Sequence, residues 1–313
     1  MAKKRMLIVV NPYATTVSDR LKNLVVYALQ GRYEVEAIST RAQNHATEIS
    51  REVREDGYDV VVAFGGDGTL NEIANGLAGT DIPVSILPGG STNVVCRTLG
   101  IPNDVVDATE HMLALADDFR PRRIDLGIAN GRRFLFACGA GLDASSACKV
   151  DSHPRLKARG GAWFYTWAAL SSFYSQYLID PVRMRFEADA GSAEGVTVVA
   201  QNSDPFSYFR HQPIRICEDA ALDNGTLSAA VLRRAAQRDV PTIALRALNE
   251  RLRIPRHRKI EHFSGITEGR IESTSRDRDR RPRLFPVQVD GDYIGEHGEL
   301  ELGIEPGALT IVA

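Results

Sequence analysis

Short apolar runs alternate with helical patterns through the first third of the chain, and this alternation constrains the fold more than any other feature. The strand candidates are rich in β-branched residues, whereas the helix candidates carry apolar residues every three or four positions. Such alternation is typical of a doubly wound α/β domain, a parallel sheet with helices on both faces. We predict strands over Met6–Val10, Tyr33–Ser39, Tyr58–Phe64 and Val84–Leu87, and helices over Ser18–Leu29, Ala42–Glu55, Thr69–Leu77 and Ser91–Leu99.

The pattern changes after Ile124-Asp125, where short alternating runs are separated by turn residues and indicate an antiparallel, sandwich-like β domain. We therefore predict an α/β domain over residues 1–124 and a β-rich domain over residues 125–313, whose C-terminal tail packs back on the first domain. The predicted strands are Phe134–Cys138, Val182–Glu187, Val196–Gln201, Ile214–Cys217, Leu227–Leu232, Arg270–Glu272, Phe285–Val289 and Ala308–Val312, with helices over Trp163–Tyr177 and Val240–Leu248.

Composition excludes several classes of protein. The formal net charge of -2 argues against a general nucleic-acid binder, which is usually basic. No apolar stretch approaches the roughly 18 residues of a spanning helix, and the run after the N-terminus is too short for a signal peptide. The four cysteines form no Cys-x-x-Cys pair, so we expect buried thiols in a reducing compartment. These observations predict a cytoplasmic protein that meets any lipid from outside the bilayer.

The sharpest local signal is the glycine-rich segment Gly65–Glu72, which directly follows an apolar strand and precedes a helix. Glycines there let the backbone approach an anion, and the N–H groups at a helix start point at phosphate oxygens. Asp67 would repel a phosphate, and a magnesium ion held by this carboxylate explains its presence. The segment is neither a Walker A loop nor Gly-x-Gly-x-x-Gly. The alternative is a plain strand-to-helix turn in which Asp67 or Thr69 caps the helix.

Several further motifs accompany this segment: Asn11-Pro12, Thr40 with His45-Ala46, Pro88–Asn93, Cys96–Pro102, Ile124–Gly127 and Gly139–Asp143. Together they resemble the diacylglycerol kinase catalytic-domain family, which also includes sphingosine and ceramide kinases and bacterial lipid kinases. The resemblance implies a two-domain kinase that binds ATP at the cleft between its domains. It implies nucleotide contacts from Asn11, Thr40, Gly66, Asp67, Gly68, Thr69, Leu70, Asn71, Glu72 and Ser91.

The catalytic carboxylate implied by the resemblance is a Glu in an Asp-Gly-Glu motif, and here the matching residues are Asp290-Gly291-Asp292. Asp292 therefore takes the position of the group that orients or deprotonates the acceptor hydroxyl, with a side chain one methylene shorter. Asp67 joins it as a catalytic residue through the metal. The alternative is a hairpin turn, for which Asp-Gly is a strong signature, and both interpretations are compatible.

Two further acidic positions are metal or structural candidates. Related bacterial lipid kinases carry an acidic residue before the Gly of an Asp-Asp-Gly-x-Leu motif, and Asn224 stands there with Asp223 beside it. Because hard cations prefer carboxylates, a magnesium site built on Asn224 would be weak, and Asn-Gly is also a favoured turn. Asp125 is either a functional acid or a helix cap or inter-domain ion pair.

Two segments are candidates for lipid contact. Aromatic residues over Trp163–Tyr174, preceded by three cations, suit a membrane interface or the mouth of a lipid pocket, or else a helix packed in the core. The basic run Arg251–Lys259 suits anionic headgroups or a solvated loop.

We thus predict a kinase that uses ATP and Mg2+ to phosphorylate diacylglycerol or a related lipid alcohol, with peripheral membrane association and a homodimer left open. The alternatives are a regulator without catalysis and, from the shared Gly-Gly-Asp-Gly-Thr sequence, a NAD kinase. NAD kinases have an Asn-x-Gly-x-Leu-Gly-Phe segment where this chain has Pro88–Asn93, which argues against the NAD kinase hypothesis.

Overall fold

The computed structural model describes residues 3–151, 171, 180–209, 212–234, 236–247, 249 and 252–313. The chain divides into two compact units, Met1–Asp125 with Gly307–Ala313, and Leu126–Pro306. The predicted helix over Trp163–Tyr177 falls almost entirely outside the described residues. Among the described residues, no helix is long and apolar enough to cross a membrane.

The first unit is built on parallel strands in the order β2–β1–β3–β4, with the end of a late strand pairing parallel to β4 through Ile311 and Val84. Every residue of β3 is buried, as expected where helices cover both faces of a parallel sheet. The elements are β1 (Lys4–Val10), α1 (Asp19–Leu29), β2 (Tyr33–Ser39), α2 (His45–Glu52), β3 (Val60–Gly65), α3 (Asp67–Leu77), β4 (Val84–Pro88), α4 (Val94–Thr98) and α5 (Val105–Leu115).

The described part of the second unit contains two larger antiparallel sheets, ordered β14–β13–β10–β7–β16–β17 and β18–β15–β8–β9, and the small pair β11–β12. Its elements are β5 (Arg122–Ala129, which starts in the first unit), β6 (Arg132–Phe134), β7 (Ala137–Gly141), α6 (Leu142–Asp151), β8 (Met184–Ala188), β9 (Gly191–Gly195), β10 (Thr197–Gln201), β11 (Ser207–Phe209), β12 (Gln212–Ile214), β13 (Leu227–Leu232), α7 (Val240–Ala247), β14 (Ile260–Ile266), β15 (Glu268–Ser273), β16 (Phe285–Val289), β17 (Asp292–His297) and β18 (Glu299–Ile311).

Side chains from both sheets form one apolar core in the second unit, which includes Phe134, Phe186, Phe285 and Leu300. This arrangement confirms the predicted combination of a parallel α/β part and a β-rich antiparallel part. The last strand, β18, runs out of the second unit and ends in the first.

Two predicted strands were wrong in detail. The run Phe134–Cys138 is two strands, β6 and β7, separated at Leu135 and Phe136, whose amides bind a carboxylate instead of a neighbouring strand. The run Ile214–Cys217 is strand only at Ile214, because the Cys217 amide donates to the side chain of Gln201.

The cysteines behave largely as the sequence predicts. Cys96, Cys138 and Cys217 are buried and free, and Cys148 is half-buried and free. Burial raises the pKa of the three buried thiols above the ordinary value, so they stay neutral.

Candidate functional site

Two glycine pairs lie side by side where β3 and β4 end. The Gly89 N–H donates to the Gly65 carbonyl at 2.7 Å. A Cβ on Gly89 would lie 2.9 Å from the Gly65 Cα, and one on Gly90 equally close to the Gly66 Cα. Close backbone packing, rather than an unusual φ, therefore requires glycine here, since Gly66 has an ordinary extended conformation.

Helix α3 begins at this junction without a side chain that caps it. Its N-cap residue is Gly66, which has no side chain to accept a hydrogen bond from the first turn. An uncapped start leaves helix N–H groups for another acceptor, and the helix dipole favours an anion. A helix start at the carboxyl end of a parallel strand is a common position for phosphate binding in α/β proteins.

Asn11, Thr40 and Ser91 follow the ends of β1, β2 and β4, so the structure brings the predicted contacts to one edge of the sheet. The Asn11 side-chain amide donates to the Thr69 hydroxyl at 3.2 Å, and its oxygen accepts from the Tyr13 N–H at 3.0 Å. Thr40 is buried, and its N–H donates to the Val10 carbonyl at 2.8 Å. Ser91 is exposed in the turn after Gly90.

The carboxylate of Asp67 caps a helix other than its own. Its two oxygens accept from the Val94 N–H at 2.9 Å and the Val95 N–H at 3.0 Å, at the start of α4. The sequence suggested capping of α3 as the alternative to metal binding, and it gave no sign of this contact across two loops. One consequence is that Asp67 ties the glycine turn after β3 to the turn after β4.

The rest of the predicted nucleotide segment points into the protein. The Glu72 carboxylate accepts from the N–H groups of Asn44 at 2.8 Å and Ala46 at 3.0 Å, which caps α2. Leu70 and Asn71 are 3% and 1% exposed. Gly68 is half-buried, so the accessible part of this segment is the backbone of its first turn.

In the second unit, Asp292 is the first residue of β17, immediately after a two-residue hairpin turn. Asp290 and Gly291 have φ values of 50° and 86°, and Val289 pairs with Asp292 across the turn. Two successive positive φ values define the type I′ hairpin that Asp-Gly favours. The hairpin turn that was the alternative interpretation of this motif is therefore present. It holds the half-buried Asp292 at a fixed position.

Asp290, which the sequence did not single out, anchors this turn. Its carboxylate is 5% exposed and accepts three backbone hydrogen bonds, from Leu135 at 2.7 Å, Phe136 at 2.9 Å and Ala137 at 3.1 Å. The Leu135 and Phe136 amides lie in the break between β6 and β7. The Asp290 carboxylate therefore both anchors the hairpin turn and interrupts the strand that was predicted over Phe134–Cys138.

Gln288 links the turn to a second carboxylate. Its oxygen accepts from the Gly291 N–H at 2.7 Å, and its nitrogen donates to Asp143 Oδ2 at 2.6 Å. Gln288 is 2% exposed. Burial raises the pKa of Asp143 to about 6, although the Gln288 hydrogen bond opposes the shift. Gly139–Asp143 was noted as a motif, but no role for Asp143 could be deduced from it.

The remaining acidic candidates have structural contacts. Asp125 is 4% exposed, and one of its oxygens accepts from the Gly307 N–H at 2.7 Å. Asn224 shapes a turn: its oxygen accepts from the Thr226 N–H at 3.0 Å, and its amide donates to the Asp219 carbonyl at 2.9 Å. Asp223 is exposed. Within the described ranges, no group of three or more His, Cys, Asp or Glu side chains is arranged to hold a metal ion.

Comparison with known proteins agrees with this geometry. Residues 5–127 match the model of the diacylglycerol kinase catalytic domain, and that range holds both glycine turns. Over these residues the chain is similar to the diacylglycerol kinase catalytic domain. This confirms the resemblance found in the sequence.

Relatives in this family extend the match beyond the first unit. A diacylglycerol kinase of Bacillus subtilis is 25% identical over 299 residues, which cover 93% of this chain and 91% of that protein. One from Staphylococcus haemolyticus is 26% identical over 287 residues, covering 88% and 78% respectively. A crystal structure of a putative diacylglycerol kinase from Bacillus anthracis shares the fold, with a TM-score of 0.76 at 24% identity over 100% of this chain and 96% of that one.

Proposed function

We propose that the chain is a lipid kinase that transfers the γ-phosphoryl group of ATP to a hydroxyl of diacylglycerol or a related lipid alcohol. The match to the diacylglycerol kinase catalytic domain and the similarity to curated diacylglycerol kinases support the kinase class. The observation that carries the proposal is the start of α3, a helix with a glycine N-cap at the edge of the sheet where parallel strands end.

In this proposal the first turn of α3 binds the nucleotide phosphates through the backbone N–H groups of Gly66–Gly68 and the Thr69 hydroxyl, since the Thr69 N–H donates to the Gly66 carbonyl at 3.0 Å. The Asn11–Thr69 pair fixes the threonine hydroxyl beside that backbone. Two glycine pairs keep Cβ atoms away from the path of the phosphates. Of the nucleotide contacts predicted from the sequence, the proposal keeps the backbone of this turn and the side chains of Asn11 and Thr69. Ser91 lies at the rim of the site.

Asp67 is the residue that would hold Mg2+. Its oxygens accept the N–H groups of Val94 and Val95, and an ionised carboxylate has lone pairs for more than one ligand on each oxygen. Proteins commonly provide only one or two carboxylate ligands to Mg2+, and substrate phosphates and water molecules provide the others. When bound, the ion neutralises charge on the transferring phosphoryl group.

Asp292 is proposed to accept the proton of the lipid hydroxyl or to orient that hydroxyl. The I′ turn and the buried Asp290 anchor fix its backbone before any substrate binds. A fixed carboxylate is worth more to catalysis than a mobile one, because no ordering is needed at the moment of reaction. The acceptor lipid implies action at a membrane surface, by peripheral association.

A transfer assay tests the proposal. The purified chain is incubated with labelled ATP, Mg2+ and mixed micelles that contain diacylglycerol, sphingosine or ceramide, with NAD as a separate acceptor. We expect label in a lipid. Folded protein that binds ATP but labels no lipid, with binding unaffected by Asp292→Ala, would support the regulator instead, and labelled NAD would support the NAD kinase.

A further inference from the structure

The second unit contains an open pocket that the proposed kinase reaction does not use. It has a volume of about 380 Å³ and lies between the start of α7 and the segment that precedes β14. That volume falls in the range of ~300–1,000 Å³ typical of small-molecule sites. Four of its lining residues are arginines: Arg238, Arg246, Arg256 and Arg258.

The charges around this pocket favour an anion. Among the described lining residues, Asp239 is the only carboxylate opposite four guanidinium groups. Burial lowers the pKa of His257, which keeps its ring neutral near pH 7. Arg246 is held in place by hydrogen bonds to the carbonyls of Leu252 and Arg253. Arginine in a fixed orientation is well suited to phosphate, which it binds with two parallel N–H groups.

The floor of the pocket is a fixed polar network. The Lys259 N–H donates to His257 Nδ1 at 3.3 Å, which leaves the ring proton on Nε2, 3.2 Å from the Thr242 hydroxyl. That hydroxyl in turn donates to the Asp239 carbonyl at 2.8 Å. The donors and acceptors of His257 and Thr242 are therefore used within the protein.

One polar atom in this floor has no partner. Asp239 is 4% exposed, and its Oδ2 makes no hydrogen bond, whereas Oδ1 lies 3.7 Å from the Arg258 guanidinium. A buried carboxylate oxygen without a donor costs free energy unless a ligand supplies one. A simple anion would pair with the arginines but would be repelled by Asp239. The pocket therefore favours a ligand that carries an anionic group for the arginines and a hydrogen-bond donor for Asp239.

We propose that this pocket binds a phosphate ester with a neighbouring hydroxyl group, the phosphate on the arginines and the hydroxyl donating to the Asp239 carboxylate. Two sources share this chemistry: a soluble compound such as glycerol 3-phosphate, and the headgroup of a lipid such as phosphatidylglycerol. The site is independent of the kinase reaction, because none of its residues belongs to the candidate active site.

Calorimetry on the full chain tests the proposal with glycerol 3-phosphate and with sulfate, which has the charge but no hydroxyl. Arg256→Gln should weaken both ligands about tenfold or more, the loss expected for a hydrogen bond between charged groups. Arg278→Gln, an exposed arginine in another loop, is the matched control and should change neither. Asp239→Asn should tighten sulfate and reduce the preference for glycerol 3-phosphate about tenfold.

Flotation with vesicles distinguishes the sources. Binding to phosphatidylcholine vesicles that contain phosphatidylglycerol, competed by glycerol 3-phosphate and lost in Arg256→Gln, identifies the headgroup. Binding of the soluble compound alone identifies a metabolite. The proposal is overturned if neither ligand binds, if Arg278→Gln weakens binding as much as Arg256→Gln, or if Asp239→Asn leaves the preference for glycerol 3-phosphate over sulfate unchanged.

Discussion

Carboxylates in this protein have contrasting tasks that their residue type alone does not reveal. Asp67, Glu72 and Asp290 all receive backbone N–H groups, and each thereby ties one element to another. Asp292 instead lies at the end of a rigid turn, half-buried. The sequence predicted Asp67 and Asp292 from motif positions, whereas the contacts of Asp290 and Glu72 depend on residues distant along the chain.

Asp292→Asn should lower kcat by a factor of about 10²–10⁴ if this carboxylate acts on the acceptor hydroxyl, the usual size of a general-base contribution. ATP affinity should stay unchanged, because the proposed phosphate site is made of other residues. Steady-state kinetics and nucleotide titration measure the two effects. Asp279→Asn, an exposed aspartate in a loop, provides the control, and an equal loss there would remove Asp292 from the mechanism.

Asp143 should make the stability of the protein depend on pH. Its folded pKa of about 6 lies above the ordinary value of 3.8, so the folded state holds the proton more strongly. Its stabilising contribution is present below 3.8 and is lost as the pH rises through about 6. Urea unfolding across this window should show a smaller decline for Asp143→Asn than for wild type. An identical decline in both would rule out this carboxyl as the source.

At the scale of elements, helices and strands with a clear local sequence pattern were predicted well, whereas elements shaped by residues distant along the chain were not. Strands β1, β3 and β4 contain continuous buried apolar runs, and β2, which mixes polar and apolar residues, was predicted at its observed bounds, Tyr33–Ser39. Helix α5 was missed, and the run Phe134–Cys138 was predicted as one strand. No local pattern reveals that the Asp290 carboxylate, more than 150 residues away, takes the amides that would continue the strand.

Gln288→Leu tests whether the hairpin positions Asp292. The substitution removes both hydrogen bonds of the side chain, so the turn loses its link to Asp143 and kcat should fall about tenfold, as expected when a catalytic group is misplaced. ATP binding should not change. Gln201→Leu is a matched control, because Gln201 is equally buried and also bonds a backbone N–H.

Both glutamine variants should lose stability, and kcat alone separates them. Equal kcat values for Gln288→Leu and Gln201→Leu, measured on folded protein, would reduce Gln288 to a structural role.

Gly89→Ala should disrupt the junction of the two glycine turns. The new Cβ would lie 2.8 Å from the Val17 side chain and 2.9 Å from the Gly65 Cα. Relieving the second contact would require a shift of the backbone, which costs free energy. We expect a loss of about 1–3 kcal/mol in unfolding free energy together with weakened ATP binding. Gly298→Ala meets neighbours only at 3.6 Å and should be tolerated. Unchanged ATP affinity in folded Gly89→Ala would argue against a phosphate site at this junction.

For the whole molecule, the seven residues Gly307–Ala313 belong to the first unit although they follow the second in sequence. Leu309 and Val312 are buried there, and the Gly307 N–H donates to Asp125. Leu309→Ala should therefore cost about 2–5 kcal/mol, the range for a buried leucine. Urea denaturation with ATP binding as a second probe would locate the damage in the first unit, and a loss near zero would contradict this packing.

The second unit is in effect an insertion in the first, and this arrangement has a consequence for synthesis. Domains usually fold in order as they leave the ribosome, the N-terminal one first. Here the strand that pairs with β4 is translated after the whole of residues 126–306. The first unit must wait, with one edge of β4 unpaired, until the second unit has been made.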